Sequence, residues 1–307
     1  WRDGRHAMIL VTGAAGFAGS RMVARMVQEG ERPRALVRDA ARAKERLPDQ
    51  GVEIVQGDTT KPETLAAAVA GVDTIIHAAF ITADRKQGPG VNYQQTNITG
   101  TLNLLEAARA AGVRRIIELG GLGTRPARHG SYMETRYVAD QHIKQSGLAW
   151  SILGPSVQFG AGAAFFKGLA DLIRLAPVVP MIGNGKRRFQ PIWVEDVVTC
   201  LLKMARQPER YDGQYLQVGG PTVYTYAQIL DLLMAALDKR RLKVPGPVPA
   251  ARLGAALMTA VLRRPPVTPA AIELFSFDNV ATPDSVPALF GFTPRALEDY
   301  LAEQGVD

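Results

Sequence analysis

The sequence predicts an α/β fold, a doubly wound parallel sheet followed by a smaller second lobe. Three observations predict it. Short apolar runs alternate with helical stretches from Met8 to Leu153. A glycine-rich turn follows the first of these runs directly. After Gly154 prolines and glycines become denser and the alternation loosens. Apolar strands separated by helices imply parallel strands covered on both faces, and right-handed crossovers then wind the chain both ways from its first strand.

The elements follow in order. Met8–Thr12 (MILVT) is a fully apolar strand, and Gly13–Gly19 turns the chain into a helix from about Ser20 to Glu29. Arg34–Val37 is the second strand, and Val52–Gln56 is the third, after a charged helix over Ala40–Leu47. Pro62–Val69 is helical, with Thr60 placed to cap it and Pro62 in its first turn. Thr74–His77 is the fourth strand. Asn97–Ala111 is a periodic helix stopped by Gly112. Arg115–Leu119, a helix over Tyr132–Ser146 and Ala149–Leu153 complete the first half. In the second half, helices are expected at Ala164–Leu175, Glu195–Ala205, Tyr226–Leu237 and Ala251–Leu262, and short strands at Gln190–Val194 and Tyr215–Val218.

Composition bounds the function. The chain has 307 residues, 47% hydrophobic and 21% charged, which suits a sizeable core and argues against disorder. One cysteine, Cys200, excludes an internal disulfide, and its apolar run Val197–Met204 predicts simple burial. The four histidines show no metal-ligand spacing, so no metal is expected. A net charge of +7 favours anionic ligands. The tightest basic cluster, Lys239, Arg240, Arg241 and Lys243, lacks interleaved aromatics and is read as a solvated helix end, not a nucleic-acid site. No apolar run reaches the ~18 residues that span a bilayer. Trp1–Ala7 resembles neither a signal nor a transit peptide and is expected to be a tag or short arm before a native start at Met8. A cytoplasmic protein is expected, with peripheral association at the inner face of a membrane as a further expectation.

The segment MILVTGAAGFAGS carries the chemistry. Gly13 permits the tight turn, Gly16 lets the backbone approach a pyrophosphate, and Gly19 lets helix and strand pack closely. The next helix then offers free N–H groups and its positive dipole end to phosphates. Residues 8–160 are therefore expected to form a dinucleotide-binding domain. Residues 161–307 are expected to form a substrate lobe interleaved with late strands of the sheet. Arg38, first off the second strand, suits the 2′-phosphate of NADP(H), while Asp39 keeps NAD(H) open. Asp58 is placed to accept from the adenine amino group. Ala78 and Ala79 leave room for the cofactor beside the backbone, and His77 is read as a packed strand-end residue.

These motifs resemble the extended, atypical branch of the short-chain dehydrogenase/reductase superfamily, whose fold is the Rossmann doubly wound sheet. The resemblance rests on Gly13–Gly19, Gly57-Asp58, His77-Ala78-Ala79, Asn97 with Gly100–Ala108, and Gly154–Gly160, and covers most of Met8–Gly160. It implies an NADP(H) cradle that adds Ala15, Phe17 and Ala18 to the glycines, Thr59 to Asp58, and Pro155 and Val157 after the sixth strand. Phe165-Phe166, Pro177–Gly185 and Phe189–Val197 resemble the group containing the NADPH-binding accessory subunit of respiratory complex I and its bacterial relatives. Several of that group are linked to quinone-related membrane processes, so association with a membrane complex is implied.

The resemblance also supplies a catalytic pattern, from which this sequence departs. The superfamily uses a serine after the fifth strand, then Tyr-x-x-x-Lys. Tyr132 matches the tyrosine, Arg136 stands for the lysine, and the serine position falls on Gly120. Arg136 supplies the charge a tyrosine needs to work near neutral pH, but its planar fork does not copy an ammonium's contacts. Gly120 offers no hydroxyl, and Thr124 or Ser131 are the candidates to replace it. Two classes compete: a protein holding NADP(H) for a structural or regulatory purpose, with Tyr132 and Arg136 on the nicotinamide ribose, and an active NADPH-dependent reductase or dehydrogenase. A sugar-nucleotide epimerase or dehydratase is a third reading. Phe80, Phe159, Phe165, Phe166 and Phe189 either rim an apolar pocket for a carbonyl or quinone-like substrate or form ordinary core. Ala250–Arg264, followed by Pro265 and Pro266, either lies on a membrane surface or, the preferred reading, packs as a C-terminal helix.

Overall fold

The computed structural model describes residues 7–83, 87–88, 91–262 and 267–306; positions 1–6, Arg264, Pro265 and Pro266 lie outside them. Contacts divide the chain into two units. The first comprises 1–81, 88–154 and 197–216, and the second 82–87, 155–196 and 217–307.

The first unit is built on a seven-stranded sheet. Its strands are β1 (Ile9–Thr12), β2 (Arg34–Val37), β3 (Glu53–Gln56), β4 (Thr74–His77), β5 (Arg115–Leu119) and β6 (Ala149–Pro155), with Gln214–Val218 at one edge. From that edge the order is Gln214–Val218, β6, β5, β4, β1, β2, β3. β1 pairs in parallel with both β2 and β4. The chain therefore winds outward from β1 in one direction and then returns to wind in the other. Such a reversal opens a crevice at the carboxyl ends of β1 and β4, where α/β sheets bind ligands.

Leu10, Leu36, Ile75, Ile116 and Ile152, one from each of five adjacent strands, form a continuous apolar face under Leu65, Val69, Leu104, Leu105 and Ile143. Each such buried side chain stabilises the fold by about 1.5–3 kcal/mol. The helices include α1 (Phe17–Gln28), α2 (Ala40–Ala43), α3 (Ala66–Val69), α4 (Gly100–Ala110) and α5 (Tyr132–Lys144). Gly112 and Gly147 stop α4 and α5 with φ of +74° and +80°, the left-handed geometry that favours glycine.

Several boundaries differ from expectation. α1 begins at Phe17, not Ser20, because Gly19 packs inside the helix instead of preceding it. The Ala40–Leu47 helix is one α-turn capped by Asp39. Thr60 does not cap the next helix: its side chain and N–H both bond Asp58, and Lys61 holds the cap position. α4 is preceded by a π-helical stretch, Gln94–Thr99.

In the second unit Pro191 splits the expected Gln190–Val194 strand. Arg188–Phe189 pairs with Tyr224–Thr225, and Ile192–Trp193 pairs with Gln158–Phe159. A parallel ribbon of Val178–Ile182 and Leu242–Gly246 was masked in the sequence by Pro180, Pro245 and the nearby glycines. It carries the basic cluster out of the helix end and into a strand: Lys243 lies within it and pairs with Asp231. Cys200 is buried.

Candidate functional site

The glycine turn is shaped by close approach. Gly13 has φ +65°, and a Cβ there would stand 2.5 Å from the Ala78 carbonyl oxygen. A Cβ on Gly16 would stand 2.9 Å from the Gly13 carbonyl oxygen, and one on Gly19 would collide with it. The Gly16 N–H closes the turn on Gly13 O at 2.8 Å. Gly16 caps α1 with no side chain, so the N–H groups of Phe17, Ala18 and Gly19 have no acceptor within the helix. A phosphate fits that need, and the glycines keep every Cβ out of its way. Ala15 flanks the turn, and the Arg46 guanidinium reaches back to its carbonyl at 3.2 Å. Nothing in the sequence spacing had pointed to Arg46.

At the end of β2 the two candidate selectors separate. Arg38 is exposed. The Asp39 carboxylate is occupied, accepting the Arg42 N–H at 3.1 Å as the cap of α2. Asp58 follows β3, with one carboxylate oxygen held by Thr60. Thr59 is buried, its carbonyl accepting from the Asn103 amide at 2.9 Å and its hydroxyl lying where a Cβ on Gly100 would be. Ala78 and Ala79 follow β4 beside Gly13, half-buried.

Tyr132 opens α5, half-buried, with its ring edge-on to Tyr93 at 5.7 Å. The residue facing its hydroxyl is Gly121, not Gly120. A Cβ on Gly121 would lie 3.9 Å from Tyr132 Oη. Gly120 continues the strand ladder, donating to Leu153 O at 2.7 Å, and its Cβ would point into Ile152 and Leu153. The alternation of strand faces turns position 121, not 120, toward Tyr132. The expected replacements are engaged elsewhere: Thr124 donates to Asp140 at 2.6 Å, and Ser131 accepts the Glu134 N–H as the cap of α5.

Arg136 is 2% exposed and turned into the protein. It pairs with Glu118 at 3.0 Å, donates to Leu119 O at 2.8 Å, and lies over the Phe80 ring at 3.4 Å. Burial pushes the Glu118 carboxyl well above the usual range; Asp140 adds to this and Arg136 opposes it. Burial also raises Asp140, against Arg136 and Thr124. Glu118 Oε2 and Asp140 Oδ1 receive no N–H or hydroxyl donor. One proton shared between the two carboxyls satisfies both, and the pair then carries one negative charge against the one positive charge of Arg136.

His77 is fully buried between hydroxyls, Nδ1 at 2.7 Å from Thr12 and Nε2 at 3.1 Å from Thr101. Thr101 in turn donates to Asn97 O, so the network assigns the proton to Nε2. Burial, with help from Arg136, lowers His77 to about 3. It is neutral and structural, as its strand-end position suggested. Asn97, in the π-helical stretch, is also fully buried: it accepts the Ile81 N–H at 2.9 Å and donates to Thr135 on α5 at 3.3 Å. It thus ties the end of β4 to the helix bearing Tyr132. The sequence reading gave it no role, although a π-helical turn often marks a functional site.

The titrations have opposite signs. His77 ordinarily titrates at 6.5, so its contribution to stability is full above 6.5 and is lost as pH falls toward 3. Glu118 is raised, so its contribution is full below its ordinary 4.5 and is lost as pH rises. Between 4.5 and 6.5 the two oppose each other. Glu118→Gln removes one of them, and the variant is expected to lose about 2 kcal/mol from pH 7 to pH 5, at about 1.4 kcal/mol per unit below 6.5. Wild type is expected to lose clearly less. Urea unfolding at the two pH values checks this, and equal losses would refute it.

In the second unit Pro155 is buried, and the Val157 N–H donates to Asn279 Oδ1 at 3.0 Å. Phe159, Phe166 and Phe189 are at most 5% exposed. Phe275 stands 5.2 Å from Phe189 and 4.7 Å from Tyr226, completing an aromatic core with Phe165 beside it. Their rings pack against one another edge to face or tilted, and Phe159 and Phe166 also line a cavity with Lys167, Leu297 and Tyr300. Phe80, in the first unit, is the plate under Arg136.

Comparison with known proteins agrees with this geometry. Residues 13–158 match the model of an NAD(P)H-binding family. The chain is 32% identical over 203 residues to the ceramide reductase of Caulobacter vibrioides, covering 66% of this chain but only 62% of that protein. It is 21% identical over 276 residues to the mitochondrial NADH dehydrogenase (ubiquinone) 1 alpha subcomplex subunit 9 of Arabidopsis thaliana, covering 88% and 68%. The solved structure of MoeE5 in complex with UDP-glucose and NAD shares the fold, with a TM-score of 0.72 at 21% identity over 97% of each chain. The glycine turn, the strand order and these similarities converge: residues 13–158 are an NAD(P)H-binding domain, and the chain has the fold of MoeE5.

Proposed function

We propose that this chain holds NADP(H) in a structural or regulatory role, without the hydroxyl–tyrosine–lysine relay of the superfamily its sequence resembles. The observation that carries this reading is the pairing of Gly121 with Arg136. The position facing Tyr132 has no side chain, and the cation one helical turn later is committed to a buried acid pair. When bound, the nicotinamide supplies or accepts a hydride. Tyr132 then offers a hydroxyl to handle a proton, with no partner hydroxyl at position 121 to orient a carbonyl. Losing one such donor costs about 10²–10³ in rate. The test is NADPH consumption with a series of apolar ketones and quinones. Consumption at a rate within tenfold of an ordinary reductase, abolished in Tyr132→Phe, would overturn the proposal.

A second reading, an NADPH-dependent reductase of an apolar carbonyl compound, is favoured by the ceramide reductase similarity and by the retention of Tyr132. The same test decides between the two.

The choice of NADP(H) rests on Arg38 being exposed at the end of β2 while Asp39 is used as a helix cap. Arg38→Ala is expected to weaken NADPH binding about 10- to 100-fold, the loss of one charge-assisted contact, and to leave NADH unchanged. Calorimetric titration with both nucleotides checks this. An equal effect on both would transfer the 2′-phosphate role elsewhere.

A further inference from the structure

The second unit exposes apolar surface where a packed helix was expected. The helix Val248–Val261 buries only Ala255. Leu253, Leu257 and Val261 are 64%, 61% and 83% exposed. Their spacing of four puts them in one row on one face, and Pro249, Ala256 and Ala260 beside that row are exposed as well. The strand leading into this helix repeats the pattern. On one face of its ribbon, Leu242 and Val244 stand next to Val178 and Pro180, all four exposed, with Leu175 just before them. Exposed apolar side chains gathered in rows on a helix and a ribbon, not scattered singly, mark an interaction site.

The charge pattern says what covers it. From Lys239 to Leu262 there are five basic residues and no acidic one. Lys243 pairs with Asp231, and Arg252 lies 3.6 Å from Glu273. Lys239 and Arg240 are exposed. A row of exposed apolar side chains on a segment that also exposes cations and carries no acid matches a fluid apolar layer under anionic headgroups, and a helix of this kind lies in the interface. No helix among the described residues is long and apolar enough to cross a membrane.

We propose that the helix Val248–Val261 and the ribbon face of Val178, Pro180, Leu242 and Val244 dock this protein on an anionic lipid surface. The surface lies within the second unit, and the proposal does not depend on whether the cofactor turns over.

The test is co-sedimentation with vesicles of phosphatidylcholine alone or mixed with an equal part of phosphatidylglycerol. The protein is expected to bind the mixed vesicles at low salt, to bind the neutral ones far more weakly, and to be released by high salt. Leu253→Asp with Leu257→Asp is expected to abolish binding. Lys239→Glu with Arg240→Glu, which touches no packed residue, is expected to weaken it at least fivefold for each cation lost. Circular dichroism and NADPH affinity are expected to stay unchanged in both variants. No binding to the mixed vesicles, or binding that neither pair of substitutions reduces, would overturn the proposal. So would sedimentation equilibrium showing that the leucines are buried in a dimer of this chain.

Discussion

Arg136→Met is expected to cost about 3–5 kcal/mol of stability at pH 8, because it strips a buried acid pair of the counter-charge in direct contact with it and leaves the weaker field of Lys144. Glu118 is fully buried, Asp140 nearly so, and the guanidinium meets Glu118 at 3.0 Å. The methionine fills much the same volume over Phe80, so packing changes little and the loss is chiefly electrostatic. The sign of the pH dependence identifies the mechanism. With Arg136 gone, the pair relieves its charge by taking up a second proton, so the loss is expected to shrink as pH falls toward 5. Arg136→Lys keeps the charge but cannot reach both Glu118 and the Leu119 carbonyl, and an intermediate loss is expected. Chemical denaturation at pH 5 and 8 measures all three proteins. An Arg136→Met variant as stable as wild type at pH 8 would show that the acid pair carries no net charge.

Gly13→Ala is expected to cost about 2–4 kcal/mol and to weaken dinucleotide binding at least a hundredfold. About 1–2 kcal/mol comes from the left-handed backbone and the rest from overpacking. The new methyl meets the Ala78 carbonyl at 2.5 Å, and that atom is backbone just past β4, where the Ala78 N–H is tied to Thr12 O, and cannot swing away. Relief requires the turn to move off β4, which displaces the first turn of α1. Gly112→Ala separates the two terms. Gly112 has a similar φ, +74°, and open space around its Cβ position. It is expected to lose the strain energy alone and to keep full affinity. Thermal unfolding with and without NADPH gives both quantities for each variant. Equal effects at the two glycines would mean that close approach to β4 is not what shapes the cradle.

The sequence was most legible where one force dominated. β2, β4 and β5 match their expected limits to the residue because the apolar residues at their centres suit a parallel sheet covered on both faces. The glycine cradle was legible for the same reason: strand, turn and helix agreed. The start of α1 was not, because Gly16 and Gly19 read as loop to propensity while close packing pulls them against or into the helix. Which of Gly120 and Gly121 faces Tyr132 was not legible, because strand parity at the end of β5 depends on pairing with β6, which no local motif records. Glu118 was the missed signal. A glutamate inside the run Arg115–Leu119 of a sheet covered on both faces must be buried and must find a partner. Its partners Arg136 and Asp140 sit four residues apart on α5, a spacing the sequence displays. In the second unit the aromatics left pocket and core open because periodicity cannot distinguish a cleft from a core. The exposed row of Val248–Val261 read as packing because an apolar helix face is ordinarily buried.

The measurement that bears most directly on the central claim is mass spectrometry of the nucleotide released from the purified protein, with calorimetric titration where none is retained. NADP(H), held by wild type and lost in Gly13→Ala, is the expected result. NAD(H) in its place would contradict the reading of Arg38, and the absence of any dinucleotide, bound or titrated, would contradict the account as a whole.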